Sequence, residues 1–405
     1  MRRLVLLIVG SLALAGVAVA SSGGATQAQP RWVITDLGDG TAVAINNRGQ
    51  IVIAQSGSIY LWQRGKRRDL GNLGRRSSEA FALNNRGQVV GRSETKRRHS
   101  ETSMRDSEWQ WHAFLWQDNN MRDLGTLGGD DSKAVDLNEL GHVVGFAGTR
   151  AMDKYQVPIW RAFLWQDGKM RDLGTLGGRG SEATAINERG WIVGRADTKA
   201  RDAAGDQIGH AFIWQNGKMR DLGTLGGPES IAYAINERGE VVGSADAESR
   251  SGSQNSHAFI WQNGKMRDLG TLGGDNSNAV AINDRGQVVG WAETKAEDDL
   301  GQHIAHAFLW EDGKMRDLGT LGGSASDAGA INEHGQVIGS ADTRFNDRDG
   351  DPSDHAFVWE HNKMSDLGSL GGYSGASAIN DSGQIVGSST TKNRYEHAVL
   401  WTLKR

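Results

Sequence analysis

Cysteine is absent from this 405-residue sequence, which excludes disulfide bonds, thiolate chemistry and a lipid-modified cysteine. Proline is scarce, with 4 residues against 56 glycines, a balance typical of many tight turns without a proline-rich disordered segment. The formal net charge of −4 is too small to indicate a nucleic-acid or membrane partner for the molecule as a whole. A chain without disulfides must be stabilised by its apolar core, and this chain is long enough to build a large one.

The N-terminus has the pattern of a secretory signal peptide. Two arginines precede a mostly apolar stretch at 4–19, which ends in the small-residue cleavage site Ala18-Val19-Ala20. An uncleaved membrane anchor is the alternative, but the apolar stretch is short for a bilayer. We therefore expect a signal peptide at 1–20, a polar spacer at 21–31, and a secreted, extracellular or periplasmic protein with no transmembrane anchor after cleavage.

One phrase recurs along the rest of the chain. In full it reads His-Ala-Phe-Leu-Trp, a turn, Lys-Met-Arg-Asp-Leu-Gly-Thr-Leu-Gly-Gly, and then Ala-Ile-Asn-x-x-Gly-x-Val-Val-Gly. The tryptophan of the phrase occurs eight times, at Trp62, Trp116, Trp165, Trp214, Trp261, Trp310, Trp359 and Trp401. Most of these intervals lie near 49 residues, a period typical of propellers and solenoids.

Each repeat predicts four short strands joined by glycine-rich turns. Asp167-Gly168 is a two-residue hairpin signal between the third and fourth of these strands. In the copies around this turn, the first to fourth strands are predicted at 182–187, 191–196, 162–165 and 169–173. No segment shows sustained helical periodicity, so the pattern predicts propeller blades.

The two ends of the repeat region predict a closed ring. Residues 32–37 match the fourth strand of a unit, and the chain stops just after a third strand at 397–401. The N-terminal strand would therefore complete the last blade and remove an open sheet edge. We expect an all-β fold, a single β-propeller of eight four-stranded blades over 32–401 with a short tail at 402–405. Seven blades and a β-solenoid are the alternatives.

The phrase resembles that of the bacterial HAF repeat family, named for His-Ala-Phe. Full matches include 210–214 and 306–310, while the first copy is degenerate at 58–62, the third has Arg161 for histidine and the last has Val399 for phenylalanine. The resemblance covers the chain from 32 to 401 and implies an extracellular repeat architecture. It implies no activity and no catalytic residues.

The repeated histidines and tryptophans are predicted to have structural roles. Phenylalanine and tryptophan alternate on one strand face, where packing between blades buries large rings. The hairpin register places Asp172 opposite Phe163, one diagonal step from the position of the repeated histidine. We therefore predict a buried His–Asp hydrogen bond repeated around the ring. The structural positions are His112, Trp116, Trp165, His210, Trp214, His257, Trp261, His306, Trp310, His355, Trp359, His397 and Trp401.

A basic segment marks the candidate ligand-binding face. From Arg64 to Arg105 there are 12 lysines or arginines and 4 aspartates or glutamates. The loop between the second and third strands varies between copies, and variable loops on a rigid scaffold commonly carry binding. Clustered cations beside non-repeat tryptophans predict an acidic polysaccharide or surface polymer as partner, with a solvated charged loop as the alternative. The candidate ligand-binding residues are Arg75, Arg76, Lys96, Arg97, Arg98, Trp109 and Trp111.

Calcium is the one cofactor that the sequence suggests. Asp347, Asp349 and Asp351 alternate in one loop, and oxygen ligands at alternate positions suit Ca²⁺. Pro352 stands where an EF-hand loop has glycine, and the bidentate glutamate is absent.

The composition and motifs together favour an exported binding or scaffold protein, acting as a monomer and without a nucleic-acid partner. A purely structural or adhesive surface protein is the alternative. A propeller enzyme, of the polysaccharide lyase or quinoprotein type, requires a cluster of unlike catalytic residues that the sequence does not display. We therefore predict no catalytic residue.

Overall fold

A computed structural model describes residues 31–98, 109–154, 157–248, 255–298, 300–346 and 352–404, with the backbone alone at 97, 98, 346 and 352. The predicted signal peptide, the spacer before Arg31 and the predicted calcium ligands Asp347, Asp349 and Asp351 lie outside the described residues. Within the described ranges, no helix has the length and apolar character needed to cross a membrane.

The described chain is built from β-strands alone. The strands are β1 (Arg31–Asp39), β2 (Thr41–Ile45), β3 (Ile51–Gln55), β4 (Ser58–Gln63), β5 (Lys66–Asp69), β6 (Gly74–Leu83), β7 (Val89–Arg98), β8 (Trp109–Gln117), β9 (Asn120–Gly125), β10 (Gly128–Leu137), β11 (Val143–Met152), β12 (Pro158–Gln166), β13 (Lys169–Asp172), β14 (Gly177–Ile186), β15 (Ile192–Arg201), β16 (Gln207–Gln215), β17 (Lys218–Gly223), β18 (Gly226–Ile235), β19 (Val241–Ala247), β20 (Asn255–Gln262), β21 (Lys265–Gly270), β22 (Gly273–Ile282), β23 (Val288–Glu297), β24 (His303–Glu311), β25 (Lys314–Asp317), β26 (Gly322–Ile331), β27 (Val337–Asn346), β28 (Pro352–Glu360), β29 (Lys363–Asp366), β30 (Gly371–Ile379), β31 (Ile385–Thr391) and β32 (Glu396–Lys404).

These strands form an eight-bladed β-propeller, as the repeat count predicts. Blade 1 is β2–β5, each of the next six blades is the following run of four strands, and blade 8 has the order β1-β32-β31-β30. The strand that leads into the Asn-x-x-Gly turn lies innermost in each blade (β30 in blade 8), against the corresponding strands of its two neighbours. The short first copy forms a blade of its own, so the seven-bladed and solenoid alternatives are wrong.

The N-terminal strand closes the ring. Strand β1 pairs antiparallel with β32, and Ile34 lies opposite Trp401 in their register. The pairing extends beyond Trp401 as far as Arg31 and Lys404, so the last strand runs three residues past the predicted end of the propeller. The chain ends thus share one sheet, in which β32 is paired on both sides and β1 is the outermost strand.

The inner strands begin earlier than the sequence pattern predicts. Strand β14 starts at Gly177, five residues before the predicted start at 182. Its second residue, Gly178, approaches the facing strand so closely that a Cβ would lie 2.4 Å from the carbonyl oxygen of Thr198. Only glycine fits that approach, which is why the Gly-Gly pair belongs to the sheet as well as to the passage between blades.

The apolar core is divided into layers between adjacent blades. One layer packs Leu115 of blade 2 against Phe163 and Trp165 of blade 3, and corresponding layers separate the other blades. The repeated phenylalanines of the full phrase are fully buried. Each blade packs on two neighbours, so both faces of its strands are buried, and the phenylalanine and tryptophan of the phrase share one of these faces.

The outer hairpin turns have the predicted geometry. Asp167 and Gly168 both have positive φ, 51° and 75°, which matches the mirror-image turn that suits a twisted hairpin. The resulting register places Phe163 opposite Asp172, as predicted. The fourth strands also carry an arginine that lies over the repeat tryptophan of the next blade at 4.9–5.8 Å, in the pairs Arg122–Trp165, Arg171–Trp214, Arg220–Trp261, Arg267–Trp310 and Arg316–Trp359.

A ring of asparagine side chains joins the eight blades. The Nδ2 of each asparagine in the Asn-x-x-Gly turns donates a hydrogen bond of 2.9–3.2 Å to the backbone oxygen of the corresponding asparagine in the next blade. The last bond, from Asn380 to Asn46, completes the circuit across the chain ends. The asparagine ring consists of Asn46, Asn84, Asn138, Asn187, Asn236, Asn283, Asn332 and Asn380.

Candidate functional site

The two ends of the propeller differ in what they present. The Asn-x-x-Gly turns and the outer hairpins lie at one end, which we call the turn end. At the other end, which we call the loop end, the passage between blades runs beside the end of the second strand, as the parallel bridge between Leu176 and Thr198 shows. The variable loops therefore share the loop end with the passages, and this is the end where the sequence predicts binding.

The repeated histidines contact the repeated aspartates. Histidine Nδ1 lies 2.8–3.0 Å from the carboxylate in six blades, in the pairs His112–Asp123, His210–Asp221, His257–Asp268, His306–Asp317, His355–Asp366 and His397–Asp36. In blade 3 the same place is taken by Arg161, 3.8 Å from Asp172. Only His112 is buried, as predicted for all of them; the other five keep about a fifth of their side chains exposed.

In the His210–Asp221 pair, the contact shifts the pKa of both partners. The hydrogen bond that His210 donates to Asp221 raises the pKa of His210, against the opposing effect of burial. Burial alone would raise the pKa of Asp221, but the bonds from His210 and from the backbone N–H of Gly223 outweigh it and lower that pKa. This pair is therefore a charge-assisted hydrogen bond between the third and fourth strands of its blade.

The structure brings part of the predicted basic face together on blade 2. The guanidinium of Arg75, at the start of β6, lies over the ring of Trp109, at the start of β8, with 3.8 Å between the guanidinium carbon and the ring centroid. Lys96 packs its alkyl chain against Gly74 and is exposed, as is Arg76. The backbone of Arg98 pairs with Trp109, while the side chains of Arg97 and Arg98 lie outside the described residues.

Arg75 departs from the repeat at a position where side chains do not ordinarily fit. Six other blades have glycine there, and a Cβ on those glycines would lie 2.3–2.6 Å from the facing strand. In blade 2 an arginine stands at this position, and no described acidic side chain pairs with its guanidinium. An arginine at a position that packing reserves for glycine is a sign of a role other than packing.

Trp111 has a different environment from Trp109, although the sequence places the two together. Arg92 lies over the Trp111 ring at 4.7 Å and is held by Glu79 through two hydrogen bonds of 2.8 and 3.0 Å. The cation beside Trp111 is thus already neutralised. Trp111 also lines a recess next to blade 1, which neither Arg75 nor Trp109 lines.

Sequence reasoning missed a second pocket at the loop end, between blades 3 and 4. It has a volume of about 380 Å³ and is lined by Trp160 and by charged residues of both signs. Lys154 pairs with Asp206 at 3.1 Å, and Arg195 pairs with Glu229 at 2.9 Å. The only signal in the sequence was Trp160, which occupies the position of Trp111 one blade later.

Blade 7 carries a pair of carboxyl groups on its second and third strands. Asp342 and Asp354 are cross-strand neighbours, and their hydrogen bond together with burial raises the pKa of Asp354 to about 7. Asp342 accepts hydrogen bonds from Ser324 Oγ and the backbone N–H of Ala325, so Asp354 holds the shared proton. In the described ranges no group of three or more histidines, aspartates or glutamates is arranged to hold a metal ion.

Solved structures with partial likeness to the chain include proteins of several kinds. The β-propeller domain of the Trilobed protease from Pyrococcus furiosus matches at 12% identity with a TM-score of 0.47, over 82% of this chain and 98% of that one. Pyrococcus horikoshii acylaminoacyl peptidase matches at 12% identity with a TM-score of 0.45, over 79% of this chain and 50% of the peptidase. A protein of unknown function from Dyadobacter fermentans DSM 18053 matches at 12% identity with a TM-score of 0.35, over 92% of this chain and 99% of that one. These likenesses carry no argument about activity.

Sequence comparison assigns the family and corrects one expectation. No curated protein matches the chain. The family described as "Protein of unknown function (DUF3466)" matches residues 75–225 and 227–321, which is more than half of the chain. The expected membership of the HAF repeat family was wrong, because the His-Ala-Phe phrase reports the packing of a blade and its His–Asp contact and does not by itself identify a family. The chain belongs to the family described as "Protein of unknown function (DUF3466)".

Proposed function

We propose that this propeller is an exported binding protein that recognises an anionic polymer through the loop end of blade 2. The observation that carries the proposal is Arg75, stacked on Trp109 in a position that six other blades fill with glycine. Its guanidinium has no acidic partner among the described residues, so its charge is available to a ligand. A planar cation held over an aromatic ring is pre-organised for bidentate contact with carboxylate or sulfate groups.

The neighbouring cations support a polymer over a small anion. Arg76 and Lys96 are both exposed and flank the Arg75–Trp109 contact at the same end of blade 2. Several cations along an open surface gain from a ligand with repeated charges, because each added contact is intramolecular once the first is made. The signal-peptide pattern supports an exported location, where acidic polysaccharides of the cell envelope are available as partners.

The test is a binding titration with polymers of matched backbone and different charge. Polygalacturonate, dextran sulfate and neutral dextran are titrated against the purified protein at two salt concentrations. We expect the two acidic polymers to bind, with affinity that falls as salt rises, and neutral dextran not to bind at this site. The charge-reversed variant R75E/R76E/K96E is expected to lose the salt-dependent binding.

A matched control reverses the same number of charges at the turn end. The variant R48E/R189E/R285E changes arginines in three Asn-x-x-Gly turns, far from blade 2's loop end, and alters the net charge equally. We expect it to retain most of the affinity for both acidic polymers. Equal losses in the two variants would show that net charge alone governs binding, and an absence of binding in all conditions would refute the proposal.

A further inference from the structure

Blade 1 is much shorter than its neighbours at the loop end. Its first two strands, β2 and β3, have five residues each, whereas the corresponding strands of blade 2, β6 and β7, have ten. Its second and third strands are joined by the two-residue turn Ser56-Gly57, without the longer loop of the other blades. The ring is therefore indented at this place, between blades 8 and 2.

The indentation forms a recess with an aromatic residue on each side. Trp111 of blade 2 lines one side, and Tyr395 of blade 8 lines the other. The turn at Ser56 and the strand start at Thr41 contribute polar atoms between them. The recess has a volume of about 640 Å³, within the roughly 300–1,000 Å³ typical of small-molecule sites. Tyr395 is 67% exposed, so its ring is available for contact with a ligand.

The charges in the recess argue against an anion. Three carboxylates line it, Asp39, Glu79 and Glu396, and no lysine or arginine is among its described lining residues. Glu79 is neutralised by Arg92 behind it, and Asp39 contacts His397 Nε2 at 3.2 Å. Hydrogen-bond acceptors between the exposed ring of Tyr395 and the half-buried ring of Trp111 suit a ligand that offers hydroxyl donors and flat C–H faces.

We infer that the recess beside blade 1 binds a short neutral oligosaccharide. A sugar ring stacks its C–H face on Tyr395, a neighbouring ring contacts Trp111, and hydroxyl groups donate hydrogen bonds to Glu396 and Asp39. This site goes beyond the proposed function, because its ligand is uncharged and its residues are separate from Arg75, Arg76 and Lys96. A cationic ligand is disfavoured, because two of the three carboxylates already have cationic or histidine partners and the recess is open to water.

The site is tested with uncharged oligosaccharides of defined length. Cellotetraose, maltotetraose and the N-acetylglucosamine tetramer are titrated against the purified protein by saturation-transfer NMR and calorimetry, with the glucosamine tetramer as the cationic probe. We expect at least one neutral tetrasaccharide to bind with an affinity insensitive to salt. Tyr395→Ala is expected to weaken binding about two- to tenfold, and Tyr395→Phe to preserve most of it, since the ring face remains.

Two further variants separate this site from its surroundings. Trp111→Ala is expected to weaken the same ligand, whereas Trp160→Ala, at the corresponding position of blade 3 and outside the recess, is expected to leave it unchanged. The variant R75E/R76E/K96E is expected to keep neutral-sugar binding even if it loses acidic polymers, so the two proposals fail independently. The inference is overturned if no neutral tetrasaccharide binds, if the glucosamine tetramer alone binds, or if binding survives Tyr395→Ala unchanged.

Discussion

The hydrogen bonds of the asparagine ring predict that replacing one ring asparagine with aspartate strongly lowers the free energy of unfolding. Asn187 is buried, and its Nδ2 donates to the backbone oxygen of Asn236 at 3.0 Å. Its Oδ1 accepts from the backbone N–H groups of Arg189 and Trp191 at 3.1 and 2.9 Å. Asn187→Asp keeps both acceptor bonds but replaces the donor with an oxygen that faces the Asn236 carbonyl.

The size of the effect follows from the loss of that one donor. A buried polar group left without its partner costs about 1–3 kcal/mol, and repulsion between two oxygens adds to it. We therefore expect Asn187→Asp to lower the free energy of unfolding by about 2–4 kcal/mol at pH 7. Asn187→Ala loses the donor and both acceptor bonds, and we expect a loss at least as large.

The pH dependence of the stability of Asn187→Asp distinguishes the loss of this hydrogen bond from a general disruption of packing. The ionised carboxylate of Asn187→Asp is disfavoured next to the Asn236 carbonyl, so its pKa in the folded protein is raised above that of the unfolded chain. The variant therefore loses stability as pH rises through the interval between the two pKa values, and at low pH its O–H restores the donor. The assay is the unfolding midpoint in urea at pH 4 and pH 7, compared with the native chain.

The chain provides its own control. Asn216 lies in an exposed hairpin turn where three other copies of the repeat carry aspartate (Asp118, Asp167 and Asp312), so Asn216→Asp is expected to change stability by less than about 0.5 kcal/mol. Asn380→Asp removes the donor bonds to the backbone of Asn46 and to Gln384 Oε1, and we expect a loss at least as large as that at Asn187. If Asn187→Asp matches the native chain at pH 7, the reasoning is refuted.

Two further predictions concern titration inside the blades. Burial raises the pKa of Asp136 to about 6, although backbone N–H groups bond to both of its oxygens, so the stability of the fold falls as pH rises from about 4 to about 6. Asp136→Asn should remove that fall in thermal unfolding scans across this pH range, whereas the turn variant Asp167→Asn should keep it. The hydrogen bond with Asp221 raises the pKa of His210, so this bond stabilises the fold fully below about pH 6.5, and the stabilisation is lost as pH rises through the pKa of His210 in the folded protein. The difference in melting temperature between the native chain and His210→Gln should therefore be larger at pH 5.5 than at pH 8.5. A difference that is the same at both pH values would contradict this.

The propeller fold was predictable because each repeat carries the same strand and turn signals. Eight tryptophans, eight turns and an N-terminal strand that matches the missing fourth strand fix the blade number and the closure. The register of Phe163 and Asp172 followed from one two-residue turn. The asparagine ring was not predicted, since the Asn-x-x-Gly motif indicates a local turn and its bonds reach residues about 49 positions away, in another blade.

The candidate sites were less predictable, because they depend on which side chains meet across blades. The sequence grouped Trp109 with Trp111, yet Trp109 contacts an arginine that has no acidic partner among the described residues, and Trp111 contacts an arginine already held by Glu79. Tyr395 was not singled out at all, because its significance comes from the short blade 1 next to it and not from its own neighbours in the chain. The sequence shows which positions depart from the repeat but not which side chains of other blades lie next to them.

Three places in the chain depart from the repeat in ways that packing within a blade does not require. Asp136 replaces an alanine found in the other seven blades, Arg75 replaces glycine, and blade 1 has lost its loop. Asp136 is accounted for by two backbone hydrogen bonds, one of them to blade 4, so its role is structural. Arg75 and the recess have no such internal account, and both lie at the loop end of blades 1 and 2. The recess is also lined by Asp39 from the first strand and Glu396 from the last, so a ligand held there bridges the two chain ends and stabilises the closed ring by mass action.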